Sequence, residues 1–269
     1  VLCLAVWIPG SYMVREFGRH ISGLQASQGA REVHLRQLDK TTWVAPCTGR
    51  GALSVTFVVY AHDNSVRTAW LDAERGFFNG TSLCLRVSGR EVEPQRLTLV
   101  VAAAPAGWQV ATALTPHKVN AAGWGDYEAP DYDTLVDHPV TLGRFWRGEF
   151  VSHGVPHQVV VSGALPDFDG ARLLADTQRL CDAQITFWHQ GRDGRIASPP
   201  FERYVFLLNA VDDGYGGLEH RSSTALRAAR RALPARRRPE SSDGYVTLLG
   251  LISHEYFHTW NVKRLRPAE

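Results

Sequence analysis

The sequence lacks the features that mark several specialised classes of protein. No run approaches the ~18 consecutive apolar residues of a membrane-spanning helix, so no membrane span is expected. The net charge is only +2, and prolines frame the most basic run, Arg236 to Arg238, so nucleic acid is not an expected partner. The four cysteines form no Cys-x-x-Cys pair, which argues against zinc-finger and redox patterns.

What remains is the composition of a globular protein, with 44% hydrophobic and 21% charged residues in a chain of 269. This length predicts two domains. The cysteines are expected to be reduced core thiols, which favours the cytoplasm, and two disulfides in an exported protein are the alternative. The chain begins at Val1 in a strand-like run, so we expect both ends to be cut. Neither a signal peptide nor the oligomeric state can be read from it.

The first part of the chain has the pattern of β-structure. Short runs rich in β-branched and aromatic residues recur, and Asn79-Gly80 is typical of a hairpin turn. The runs are Leu53–Tyr60, Gln95–Val101, Phe145–Val151 and His157–Gly163. They predict an antiparallel β-sandwich or saddle domain over residues 1–165.

The pattern then changes to alternating helix and strand. Apolar positions at helical spacing predict a helix over residues 170–189. A buried strand, Tyr204–Val211, and a glycine-rich strand, Tyr215–His220, are predicted to follow it. An α+β fold is therefore expected, with residues 166–269 as the second domain.

The most informative motif stands near the end of the chain, where His254 and Glu255 precede His258. Positions i and i+4 of a helix lie about 5–6 Å apart on one face, so two imidazoles there can bind one Zn²⁺ ion. Such an ion lowers the pKa of water from 15.7 to about 7, and Glu255 is placed to accept the proton. The spacing predicts His254 and His258 as zinc ligands and Glu255 as the catalytic base.

An ordinary amphipathic helix that carries two histidines by accident is the alternative. The preceding run, Tyr245–Ile252, is apolar nearly all round, which predicts a buried helix with its N-cap at Asp243-Gly244. Burying histidine and glutamate side chains without partners is costly, and a metal ion supplies the partner. The apolar setting therefore favours the metal site.

The motif lacks a third ligand within the chain. The metzincin pattern is excluded, because it requires Gly and His where Asn261 and Arg264 stand. The one acid after His258 is Glu269, which lies beyond the helix-ending Pro267 and is not expected to bind the metal.

A second motif, Gly216-Gly217-Leu218-Glu219-His220, closes the glycine-rich strand. Glycines in a strand mark places where another backbone approaches closely, so a peptide substrate could lie along Gly216 and Gly217. Glu219 could then accept hydrogen bonds from the terminal ammonium of the peptide, as an exopeptidase requires. A glycine-rich hairpin with a solvated glutamate is the alternative, and these five residues alone favour it.

Four stretches together resemble the bacterial glycyl aminopeptidase family, and the likeness spans nearly the whole chain. They are Trp7–Tyr12, Ala61–Trp70, Gly216–Ser223 and His254–Pro267. The resemblance implies an N-terminal β domain followed by the first part of a thermolysin-like zinc-peptidase domain, with a PDZ domain further along in full-length members. These are gluzincins, so it also implies a third zinc ligand, a Glu, on the helix that follows.

The resemblance assigns further roles. It implies peptide substrates with a preference for N-terminal Gly or Ala, and it makes Glu219 the anchor of the substrate amine. Leu218 and His220 stand where the wider group has Met and Asn.

Two functions stay open at this point. One is a zinc-dependent aminopeptidase that hydrolyses the N-terminal peptide bond, although this chain by itself is expected to be inactive without a third ligand. The other is a peptide-binding or scaffolding protein with a degenerate, non-catalytic peptidase domain. The intact motif favours the first, because a decayed site has no need of Glu255.

Overall fold

The computed structural model of the protein describes residues 1–8, 10, 11, 13–100 and 105–265. The first part of the chain contains β1 (Leu2–Cys3), β2 (Ile21–Gln28), β3 (Arg31–Glu32), β4 (Arg36–Asp39), β5 (Thr42–Val44), β6 (Leu53–Val59), β7 (Ala69–Leu71), β8 (Arg75–Phe78), β9 (Arg86–Val87), β10 (Gln95–Leu99), β11 (Gln109–Thr112), β12 (Thr115–Val119), β13 (Gly125–Ala129), α1 (Tyr132–Val136) and β14 (Val140–Gly143). The second part contains β15 (Phe145–Ser152), β16 (Val155–Ser162), α2 (Gly170–His189), β17 (Tyr204–Val211), β18 (Tyr215–Glu219), β19 (Ser223–Ala229) and α3 (Asp243–Phe257). Short 3-10 helices cover Phe17–His20, Gly80–Ser82 and Arg230–Ala232.

Within the described residues, β1 to β14 form four small antiparallel sheets. Their strand orders are β4-β5-β1-β9, β3-β2-β6, β10-β13-β12 and β11-β14-β8-β7. The alternation of the sequence explains their formation: along β6, partly buried apolar residues alternate with exposed ones, the two-residue period of a half-buried strand. The predicted antiparallel architecture of the N-terminal part is confirmed.

The later strands form one mixed sheet in the order β15-β16-β17-β19-β18. The three inner strands are parallel, and each outer strand pairs antiparallel with its neighbour. The central strand β17 is an almost continuous buried apolar run, as a parallel strand covered on both faces should be. At one edge, β18 has no strand of the described chain on its outer side. This free edge lies beside α3.

Strands β15 and β16 belong to this second sheet rather than to the N-terminal sheets with which their sequence pattern groups them. The reason is tertiary: Val159 and Val161 are fully buried, and β16 pairs in parallel with β17 after the crossover through α2. The division between residues 1–165 and 166–269 stays a prediction.

Two apolar cores hold the site in place. One packs α2 and α3 against the mixed sheet, with Leu173 and Ile185 from α2 meeting Leu248 and Ile252 from α3. The other joins N-terminal residues to the sheet edge, since Leu4, Ile8, Phe17 and Trp43 pack with Leu218 of β18 and Ala225 of β19. The N-terminal part is therefore packed directly against the strand that carries Glu219.

Most element predictions are confirmed, and several details are wrong. The α+β class and the helix over residues 170–189 are confirmed, the latter as α2 with Asp169 as its N-cap. Asn79-Gly80 forms no hairpin: Asn79 is fully buried, donates to the Val66 carbonyl at 2.8 Å and leads into a 3-10 turn. All four cysteines are free thiols, but Cys47 is exposed rather than in the core.

Helix α3 also differs in two respects from its prediction. Its N-cap is Ser242, whose hydroxyl accepts from the Tyr245 amide at 3.2 Å, rather than Asp243-Gly244. It is buried on one side only, because Val246 and His254 stay exposed and no described residue covers that face. Pro9, Tyr12, Val101, Pro267 and Glu269 lie outside the described residues. No helix in the described part is both long and apolar enough to cross a bilayer.

Candidate active site

Contacts with α2 and the mixed sheet fix the rotation of α3 about its own axis. Tyr256 is fully buried, and its hydroxyl lies 2.8 Å from Nε2 of His157. Because Nδ1 of His157 faces the Val155 carbonyl at 2.9 Å and must donate to it, Nε2 accepts from the tyrosine hydroxyl. With Tyr256 held in the core, residues 254 and 258 turn away from it.

The two predicted ligands converge. Nε2 of His254 and Nε2 of His258 lie 3.1 Å apart, and the two rings stand at 86° to each other. Nδ1 of His258 lies 3.0 Å from the Asn261 carbonyl, so this nitrogen carries the proton and Nε2 presents a lone pair. Two nitrogens bound to a tetrahedral ion at 2.0–2.1 Å would be about 3.3 Å apart. The pair therefore fits one zinc ion.

Glu255 is buried beside this pair, with 5% of its surface exposed. Its Oε2 atom is buried and has no hydrogen-bond partner within the described residues. Burial and the nearby Glu219 carboxylate raise the pKa of Glu255 to about 7, and the Arg67 cation partly opposes them. A buried carboxylate oxygen without a partner is the kind of group that a metal-activated water would satisfy.

Gly217 explains how Glu255 comes so close to the sheet. A Cβ atom at Gly217 would lie 2.5 Å from Cγ of Glu255 and closer still to its carboxylate. Only glycine leaves room for this approach. At Gly216, by contrast, a Cβ would meet nothing within 4 Å, so the space beside that residue is open.

Glu219 ends the free edge strand β18 and is also 5% exposed. Its carboxylate lies against the backbone of Gly10, where a Cβ would be 2.6 Å from Oε2. Gly10 has a φ of +86°, a conformation that glycine adopts without strain. Within the described residues the Glu219 side chain has no ion-pair partner. The carboxylates of Glu219 and Glu255 are both buried, and they lie close enough to interact electrostatically.

Two further groups at the site were not found from the sequence. Nη2 of Arg67, in the loop before β7, donates to the Gly217 carbonyl at 3.4 Å. Asp137 is 2% exposed and accepts from Nζ of Lys263 at 2.8 Å and from Nδ1 of His220 at 3.2 Å. Burial alone would raise the pKa of Asp137, but His220 and Lys263 outweigh it and hold that pKa well below its usual range.

The Asp137 contacts link two segments of the site. His220 follows Glu219 directly and Lys263 follows the histidine pair, so one buried carboxylate ties the end of β18 to the segment after α3. No local sequence pattern identifies Asp137 as a residue of the site, because its partners lie 83 and 126 residues away. For Arg67 the one available signal was its place inside the Ala61–Trp70 stretch.

The described residues hold no cluster of three or more histidine, cysteine, aspartate or glutamate side chains arranged to bind a metal. The roles of His254 and His258 as zinc ligands therefore stay predictions. The third ligand stays a prediction.

Comparisons with known proteins agree on one family. A model of the peptidase M61 N-terminal domain matches residues 1–144, and a model of the M61 glycyl aminopeptidase matches residues 247–269. A search of the curated proteins finds no match.

Solved structures give the same picture. The chain is similar to an aminopeptidase N family protein from Idiomarina loihiensis, with 40% identity and a TM-score of 0.92 over 99% of this chain and 44% of that one. The chain therefore spans less than half the length of that protein. Legionella pneumophila aminopeptidase A, solved in complex with aspartic acid, matches 97% of this chain and 30% of its own at 9% identity and a TM-score of 0.56, a likeness of fold alone.

Proposed function

The chain belongs to the M61 glycyl aminopeptidase family, and from that premise we propose that the complete protein is a zinc-dependent aminopeptidase that removes N-terminal residues, preferably Gly or Ala, from peptides. One observation carries the proposal: the Nε2 atoms of His254 and His258 lie 3.1 Å apart, and the side chain of the intervening Glu255 is buried.

His254 and His258 are the residues that would hold the ion, with a third ligand supplied elsewhere. When bound, zinc acidifies water to a pKa of about 7 and polarises the scissile carbonyl. Glu255 accepts the proton of the attacking water and delivers it to the leaving amine. Its burial against Gly217 excludes solvent and leaves Oε2 free of competing protein partners.

Glu219 provides the aminopeptidase character. Its buried carboxylate accepts hydrogen bonds from the substrate ammonium, a charge-assisted contact that offsets the repulsion between Glu219 and Glu255. The backbone of Gly10 lies directly against the Glu219 carboxylate. A buried carboxylate at the end of the edge strand supports removal of terminal residues rather than internal cleavage.

The experiment measures bound zinc in the complete protein and the release of amino acids from free and N-acetylated peptides that begin with Gly, Ala or Leu. We expect about one zinc per chain and release from free Gly and Ala peptides only. Glu219→Ala should lower kcat/KM for free peptides by roughly 10- to 100-fold, the worth of a hydrogen bond to a charged group.

The matched control is Glu202→Ala, an exposed glutamate of the same part of the chain, which should retain wild-type kinetics. A zinc-loaded protein that releases nothing would refute the proposal and leave the scaffolding alternative. Wild-type kcat/KM of Glu219→Ala on free peptides, or equal release from free and N-acetylated peptides by the wild type, would refute the anchoring role of Glu219.

A further inference from the structure

Arg67 brings a positive charge to the site and forms no ion pair with the described residues. The guanidinium is partly buried and its charge acts on the Glu255 carboxylate, but no carboxylate of the described residues lies within 4.0 Å of it. Its one acceptor there is the Gly217 carbonyl, at 3.4 Å, which leaves most of its five N–H donors unused. A guanidinium fork is suited to bidentate binding of a carboxylate.

The spacing between Glu219 and the residue that Arg67 contacts can be compared with the length of a short peptide. Glu219 and Gly217 are two residues apart on β18, about 7 Å at the rise of an extended strand. An extended dipeptide spans at most about 7 Å between its ammonium and its carboxylate. If the ammonium is at Glu219 and the chain runs antiparallel to β18, the carboxylate reaches the neighbourhood of Gly217.

The direction of the peptide follows from Glu255, which lies against Gly217. A peptide anchored at Glu219 passes the catalytic carboxylate of Glu255 if it runs toward Gly217. The single peptide bond of a dipeptide then lies between the two anchors. The region thus presents a carboxylate to the ammonium and a guanidinium to the carboxylate of a zwitterionic substrate.

We propose that Arg67 binds the C-terminal carboxylate of the substrate and thereby makes dipeptides the preferred substrates, an inference that rests on the proposed aminopeptidase function. A longer peptide presents a neutral carbonyl at the same place and forms a weaker contact with the guanidinium. Arg67 is a substrate-binding residue contributed by the N-terminal part of the chain. The specificity of the site is therefore decided outside the sheet and helix that carry the catalytic groups.

A purely structural role for Arg67, as a cap on the Gly217 carbonyl, makes a different prediction. Loss of such a cap would disturb β18 and affect every substrate equally. The two roles are separated by comparing glycyl-leucine with glycyl-leucine amide, which differ only in the terminal charge. The ratio of the two kcat/KM values is internal to each preparation, so partial unfolding of a variant does not alter it.

The experiment measures this ratio for the complete zinc-loaded protein and for Arg67→Gln, Arg67→Lys and the control Arg36→Gln, an exposed arginine of β4. We expect the wild type and the control to favour the free acid by roughly 10- to 100-fold. Arg67→Gln should bring the ratio close to one, mainly through KM of the free acid. Arg67→Lys should give an intermediate ratio, because lysine keeps the charge without the fork.

The other outcomes would refute either the carboxylate-binding role of Arg67 or the proposed aminopeptidase function. A wild type that hydrolyses both compounds without preference refutes the carboxylate-binding role, as does a ratio that survives in Arg67→Gln. Equal loss on both compounds identifies a structural cap instead. If the zinc-loaded wild type hydrolyses neither compound, the proposed aminopeptidase function itself has failed.

Discussion

A methyl group added at Gly217 should displace the carboxylate of Glu255, the proposed base, without touching the proposed zinc ligands. The Cβ of Gly217→Ala would lie 2.5 Å from Cγ of Glu255, whereas ordinary contact begins near 3.4 Å. The glutamate side chain must therefore move by at least ~0.9 Å, the difference between these two distances. Rotation of the carboxylate alone does not relieve the overlap, because Cγ is involved.

This displacement should lower both the free energy of unfolding and the turnover. Glu255 is 5% exposed and has little free space, so we expect the free energy of unfolding to fall by about 1–3 kcal/mol, the range for an overpacked core site. A 1 Å displacement of a catalytic group can lower turnover by about 100-fold. Zinc content should not change, because His254 and His258 project from a different part of the α3 surface.

Denaturant unfolding, zinc analysis and kcat measured on the same preparations test this reasoning. In the double variant Gly217→Ala/Glu255→Ala the loss of stability should largely disappear, because the overlapping carboxylate is gone. The control is Gly250→Ala on α3, where a Cβ meets nothing within 4 Å and helix propensity should add up to about 1 kcal/mol. Wild-type turnover and an unchanged unfolding midpoint in Gly217→Ala would refute the packing described for this pair.

Three further predictions concern helix α3 and His157, which contacts Tyr256 of that helix. Glu255→Gln should retain zinc and lose turnover, because an amide cannot accept the proton of water; kcat near wild type would exclude Glu255 as the base. His254→Ala should lose zinc as well as activity, and full metal occupancy would show that the ligand is another residue. Burial lowers the pKa of His157 to about 4, below its ordinary 6.5, so its contribution to stability is complete above pH 6.5 and is lost as the pH falls toward 4. This loss should reach about 3 kcal/mol in urea unfolding between pH 7 and pH 4 and should shrink in His157→Gln; an identical pH dependence in that variant would contradict it.

The reliability of each sequence prediction depended on how local its physical cause was. The helix α2 and the strand β17 follow from periodicity within one segment, and both were found. The convergence of His254 and His258 follows from the geometry of a single helical turn. Asn79-Gly80 failed because burial of the Asn79 side chain, which bonds to Val66, overrode the usual preference of that dipeptide for a hairpin.

The sequence by itself determined that a helix near the end of the chain pairs two imidazoles with a neighbouring carboxylate, because residues four apart on a helix share one face whatever surrounds them. Only the tertiary structure determined which residues lie opposite that face of the helix. Arg67 meets Gly217 across 150 residues, and Gly10 meets Glu219 across a greater separation. Such contacts depend on how the sheets pack, because burial is non-directional and does not specify which distant segments meet.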